Sequence, residues 1–189
     1  MTTRDFISLL EQNPIISAVK NHDELRRALE SDCAAVILLF GNALEVEELV
    51  RAVKESGKVC IVHIDLVEGL SQSTVAVDFL IKSTQADGMI STRPQLVRHA
   101  KQKGVLTIQR FFIIDSKALD NVRRQLPGCD ADIIEILPGV MPKVISELSG
   151  CCKRPLIASG LIRDKEDVLN AICAGALAVS STNGDVWYL

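Results

Sequence analysis

The stretch IIEILPGVMPKVISELSGCCKRPLIASGLIRDKEDVLNAICAGALAVSST, residues 133–182, decides the fold. Three short apolar runs, Ile133–Leu137, Leu156–Ala158 and Leu177–Val179, stand at its start, middle and end. Each is rich in Val, Ile or Leu and has polar, Gly or Pro flanks. That is the pattern of strands buried on both faces, as in a parallel sheet. The stretches between them carry helix punctuation. Pro142 suits a first helical turn. Asp164 with Asp167 resembles a capping box, and Gly175 sits where a helix should stop.

The same alternation runs back to the N-terminus. Further runs lie at Ile15–Val19, Ala35–Leu39, Val59–Ile64, Met89–Ile90 and Leu106–Ile108. Asn21 with Glu24, Asn42 with Glu45, and Pro94 mark helix starts, and Gly57 and Gly104 mark stops. Leu44–Glu55 reads as one amphipathic helix with Leu44, Leu49 and Val53 on its apolar stripe. Eight strands with helical crossovers fit a closed barrel or an open doubly wound sheet. The open sheet commonly carries a G-x-G-x-x-G turn at its switch point, and the chain has none. With 189 residues there are roughly 24 per unit, enough for a strand and a crossover with no long insertion. The expectation is a single α/β domain over 1–189, a small, trimmed (β/α)₈ TIM-type barrel. An N-terminal helix, Thr3–Gln12, is placed to cap its bottom. The last helix is reduced or absent, because only Ser180–Leu189 follows the eighth run. The wall near Trp187 and Tyr188 should then be thin, and a second subunit of a homo-oligomer could cover it.

Composition excludes several classes. Hydrophobic residues make up 48%, yet no run approaches the roughly 20 apolar residues of a membrane span. The first residues lack the apolar core of a signal peptide. Net charge is −3, so any nucleic-acid contact must come from a local patch. The six cysteines are scattered or adjacent, with no C-x-x-C pair. They read as small apolar residues in a reducing cytoplasm, with no metal and no cofactor.

In such a barrel, function sits at the C-terminal ends of the strands. The last two ends, Ser159-Gly160 and Ser180-Ser181-Thr182, offer hydroxyls and open backbone N–H groups. With a helix N-terminus behind them they suit a phosphate; an ordinary strand-to-helix turn uses the same residue types. Lys20, Asp65, Arg110 and Glu135 stand at four other strand ends. They either pair into a salt-bridged ring, touch ligand hydroxyls, or perform acid/base work. His63 falls on the same side of its strand as Asp65 by alternation. His22 and His99 read as surface residues. No acidic residue lies between Asp87 and Asp115, a window holding Arg93, Arg98, Lys101, Lys103 and Arg110. Arg123 and Arg124 follow. Neighbouring helices would then form a basic face, either a solvated surface or a phosphate-led RNA contact. Phe111 and Phe112 read as buried.

PIISAVKN (14–21), ILLFGN (37–42), VHIDLVEGL (62–70), DGMISTRP (87–94), TIQRFFIIDS (107–116), IEILPGVMPK (134–143), LIASGLI (156–162) and AVSSTNGDVW (178–187) stand in this order. Together they closely resemble the glycerol uptake operon antiterminator regulatory family over nearly the whole chain. The resemblance implies a bacterial regulator that responds to glycerol 3-phosphate and acts on the leader mRNA of glycerol-catabolic transcripts. By motif position it places Ser159, Gly160, Ser180, Ser181 and Thr182 at the phosphate. The family pattern has two glycines before Leu-Ile, where this chain has Ser159-Gly160. A serine Cβ there is expected to crowd the ligand. Two other functions compete: a sugar-phosphate aldolase or isomerase with Lys20 as Schiff-base nucleophile and Glu135 as base, and a barrel that only mediates protein association.

Overall fold

The computed structural model describes residues 1–189. Its eight strands are β1 (Ile15–Val19), β2 (Ala35–Leu38), β3 (Val59–His63), β4 (Gly88–Ser91), β5 (Leu106–Phe112), β6 (Ile133–Leu137), β7 (Leu156–Ser159) and β8 (Ala178–Ser181). They pair in sequence order, all parallel, and close when β8 lies beside β1 with Ser180 opposite Ile16. Closure removes both sheet edges and rules out the open doubly wound alternative. The crossovers are α2 (His22–Glu30), α3 (Val46–Glu55), α4 (Thr74–Ser83), α5 (Pro94–Gln102), α6 (Ser116–Gln125), α7 (Pro142–Cys151) and α8 (Lys165–Cys173).

Successive residues on a strand face opposite sides. One set therefore fills the barrel interior: Ile16, Ile37, Ile61, Ile90, Ile108, Ile133, Ile157 and Ala178. The other set packs outward under the helices, with Val36, Val62, Ile134 and Val179 among it. Below the interior layer lies α1 (Thr3–Gln12), whose Phe6 and Leu10 are fully buried against it. Thr2 and Asp5 close a capping box at the start of α1. The expected bottom cap is thus present. Two residues above the interior layer, the same alternation points Ala18, His63, Arg110, Glu135, Ser159 and Ser180 inward at the opposite end.

The structure corrects three expectations. The third helix starts at Val46, not Leu44. Asn42 accepts the Leu44 N–H at 2.9 Å and so makes a turn rather than a cap, leaving Leu44 94% exposed. β5 runs on to Phe112, which is exposed, although Phe111 is buried as expected. The wall after β8 is closed by the chain itself. A 3₁₀ turn, Val186–Tyr188, replaces the eighth crossover helix, and Trp187 is only 2% exposed. Its indole N–H donates to Ser181 O at 2.8 Å, and the Arg27 guanidinium lies 5.9 Å from the ring centroid. No second subunit is needed to cover Trp187.

Candidate functional site

The inward residues and the β7 and β8 loops enclose a mouth cavity of about 470 Å³. Arg110, Ser159 and Ser180 line it, with Gly160–Arg163, Thr182 and Asn183 around the rim and Leu39 and Leu137 as apolar wall. Glu135 is fully buried beneath. Its Oε2 accepts from Arg110 Nε at 2.5 Å and its Oε1 accepts from the Ser159 hydroxyl at 2.6 Å. Both carboxylate oxygens are thereby spent on fixing Arg110 and Ser159, and the guanidinium faces the cavity with its orientation set. A buried carboxylate without such partners would be costly.

His63 is buried nearby, and its Nδ1 meets no hydrogen-bond partner. Burial and then the Arg110 charge push the imidazole down to about 4, against the opposite pull of Asp65 and Glu135. It is neutral at physiological pH. Asp65 lies in the turn after β3, not on the strand. Burial pushes its carboxyl up, but bonds from Thr92 N at 2.7 Å, Ser91 Oγ at 2.7 Å and Thr92 Oγ1 at 2.8 Å outweigh that and hold it low. Asp65 thus pins the β4 loop rather than facing the cavity. Lys20 stands apart, its ammonium 3.4 Å from Glu24 and its side chain 54% exposed. The four charged strand ends do not form one ring; only Arg110 and Glu135 pair.

The β7 loop turns through two consecutive left-handed residues, Gly160 at φ 76° and Leu161 at φ 62°. For leucine that conformation is uncommon. Successive N–H groups in such a turn converge toward an anion. The N–H groups of Gly160, Leu161, Ile162 and Thr182 find no acceptor within the chain. Ser159 belongs to β7, so no left-handed backbone is asked of it, and its hydroxyl turns to Glu135 instead of crowding the loop. Ser181 faces the other way from Ser180. Its hydroxyl donates to Ile162 O at 2.8 Å and accepts from Asn183 N at 3.0 Å, tying the β7 and β8 loops together. Ser180 and Thr182 are therefore the hydroxyls left for a ligand.

The helix-dipole part of the expectation is corrected. The N-terminus of α8 is occupied by its own carboxylates: Asp164 accepts from Asp167 N and Asp167 from Arg163 N. After β8 there is only a short 3₁₀ turn. Sequence reading missed Arg163, a rim residue that forms no ion pair within 4.0 Å. The signal available was its position as the first charge after the Gly-Leu-Ile turn.

The basic face is also not as expected. Acids, most of them from other elements, neutralise it. Arg98 pairs with Asp130 at 2.8 Å, Lys101 with Asp132, Lys103 with Asp78 at 3.4 Å, and Arg123 with Asp120 and Glu147. Arg124 bonds only Asn121, and Arg93 lies 3.9 Å from Asp65. His22 is exposed, whereas His99 is half-buried against Asp78 at 2.9 Å. No helix is long and apolar enough to cross a membrane.

Fold and site together define a (β/α)₈ barrel whose mouth presents open N–H donors and a fixed guanidinium at the ends of its late strands. Residues 15–187 match the family of glycerol-3-phosphate responsive antiterminators, and the chain belongs to that family. It is 43% identical over 183 residues to the uncharacterized protein YgcP of Escherichia coli (strain K12), covering 97% of this chain and 96% of that one. The crystal structure of the glycerol uptake operon antiterminator regulatory protein from Listeria monocytogenes superposes with a TM-score of 0.89 at 35% identity, covering 93% of this chain and 95% of that chain. An antiterminator-related protein from Thermotoga maritima gives 0.79 at 31% identity, covering 92% and 96%. The deoxyribose phosphate aldolase from Aeropyrum pernix, at 17% identity and a TM-score of 0.68 over 99% of this chain and 97% of its own, shares the fold alone.

Proposed function

We propose that the mouth cavity binds glycerol 3-phosphate, and that its occupancy governs a cytoplasmic antiterminator acting on leader mRNA of glycerol-catabolic transcripts. The observation that carries this reading is the cluster of unpaired N–H groups on Gly160, Leu161, Ile162 and Thr182, facing the same cavity as Arg110. The phosphate sits on those donors, with the Ser180 and Thr182 hydroxyls and Arg163 completing its shell. The glycerol hydroxyls extend toward Arg110 and neutral His63, which can accept or donate. Asp65 and Glu135 act behind them by holding Thr92 and Arg110 in place. For the ligand to control RNA it must favour one state of the protein over another. The Ser181 bonds joining the two phosphate loops make those loops move as a unit. An aldolase-like reaction has little support, because the amine of Lys20 lies outside the cavity, paired with Glu24.

The test is thermal unfolding with excess glycerol 3-phosphate, and with glycerol and inorganic phosphate as controls. Saturation near 100 times Kd adds ~2.7 kcal/mol, a rise of roughly 5–10 °C for a chain of this size. Ser180→Asp sets a carboxylate against the phosphate dianion and should erase the rise. No rise in the wild type, or an equal rise with inorganic phosphate alone, would sink the assignment.

A further inference from the structure

Four large apolar side chains stand exposed on three consecutive loops of the mouth. Phe112 and Ile114 follow β5, Val140 follows β6 and Leu161 follows β7, at 52%, 83%, 36% and 59% exposure. The three strands are neighbours, and their ends are tied together. Phe112 lies opposite Leu137, Ile113 N donates to Leu137 O at 2.7 Å, and Gly139 N donates to Gly160 O at 3.0 Å. The four side chains therefore form one arc along the β5–β7 side of the mouth, with half-buried Leu137 between them. Taking about 200 Å² for a fully exposed large side chain, the arc leaves on the order of 450 Å² of apolar surface in water. The largest such patch on a monomer is ~300–600 Å² and is often an interaction site. Glycerol 3-phosphate is polar throughout and gives this surface no partner.

The fringe of the arc carries both signs. Asp115 stands at its β5 end and Arg163 at its β7 end, both exposed, and neither forms an ion pair within 4.0 Å. Asp115 spends only Oδ1, on Ala118 N at 2.7 Å. Lys117, Lys143 and Asp164 add further charge of both signs. Such a mixed fringe does not select a polyanion. An apolar centre inside a polar rim is the anatomy of a protein interface, and ends of opposite charge fit a copy turned end for end. We propose that this arc is the interface of a two-fold dimer of this chain, with the axis crossing the arc at Val140. Val140 then meets its own copy, Phe112 and Ile114 meet the partner's Leu161, and Asp115 meets the partner's Arg163, each contact occurring twice. An interface of standard size buries about 800 Å² on each partner; the arc supplies its apolar centre and the fringe the remainder. Arg163 also stands on the rim of the ligand cavity, and its five donors can serve a partner carboxylate and a phosphate together.

The experiment is sedimentation velocity of the whole chain across the micromolar range, without added ligand. The wild type should sediment as a dimer. Ile114→Asp should weaken the dimer roughly tenfold or more. Leu44→Asp after β2 and Leu169→Asp on α8, at positions just as exposed but off the arc, should leave it unchanged. Asp115→Lys and Arg163→Glu each set like charges across the interface and should weaken self-association. An equimolar mixture of the two should recover the dimer, because both pairs are then opposite in sign. That recovery separates a contact from the loss of the α6 cap at Asp115, which a partner cannot restore. A wild type that stays monomeric would overturn the proposal and leave the arc to an RNA or another protein. A dimer that Ile114→Asp leaves intact, or a mixture no more associated than its parts, would overturn it equally.

Discussion

The buried Arg110–Glu135–Ser159 cluster allows a sharp test of what this barrel keeps charge for. Removing Glu135 alone, as Glu135→Leu, strands a guanidinium that is buried and loses its 2.5 Å partner, and leaves the Ser159 hydroxyl without its 2.6 Å acceptor. Breaking a buried pair from one side costs about 3–5 kcal/mol. At this chain length that lowers the melting temperature by roughly 6–20 °C. Removing all three polar groups, as Arg110→Met with Glu135→Leu and Ser159→Ala, leaves no orphan. Such replacements are often neutral or stabilising by about 1–4 kcal/mol. Thermal and urea unfolding of the single and triple variants should therefore show a deep loss followed by recovery. The triple variant should nonetheless lose its thermal response to glycerol 3-phosphate, because Arg110 lines the cavity. If the triple variant is as unstable as Glu135→Leu, the cluster holds the barrel together. If it responds to ligand as the wild type does, Arg110 is not part of the site. Either result refutes the reasoning.

Two further outcomes are expected. Trp187→Ala removes a fully packed ring from the wall after β8 and should cost about 3–5 kcal/mol, read as a drop in urea midpoint; a loss under about 1 kcal/mol would show that the wall is held elsewhere. His63 has an ordinary value of 6.5 and a folded value of about 4. Between these the unfolded chain takes up the proton and the folded chain does not. Stability should thus fall as pH drops from about 6.5 to about 4, by up to roughly 3 kcal/mol at the low end. His63→Gln should flatten that part of the profile, and an unchanged slope in the variant would count against a neutral His63. Asp65, held low, acts in the same direction in a more acidic window: its contribution is present above the ordinary carboxylate range and is lost as pH falls through its folded value.

The strands, the bottom helix and the barrel were legible because burial on both faces writes continuous apolar runs, and because crossover helices leave caps and glycines. Site residues were legible to the level of the strand end but not the side chain. Ser180 and Ser181 look alike in sequence, yet a one-residue step turns one into the cavity and the other against Ile162 O. Lys20 and Arg110 both end strands, but β1 stops at Val19 and leaves Lys20 to Glu24, whereas β5 carries Arg110 in its interior. The basic window misled because neutralising acids come from far along the chain, with Asp78 against Lys103 and Asp130 against Arg98. Trp187 was misjudged for the same reason: Arg27 and Cys33 meet it from the other end of the fold.

Phe6 and Leu10 make the barrel a vessel with one opening. Nothing can pass through its axis, so whatever enters the mouth leaves by the mouth, past the same Gly160–Leu161 turn that would hold it. Capture and release are then a single gate worked in two directions. Tightening those loops to gain affinity would slow the return to the empty state by the same stroke, and a sensor must balance the two.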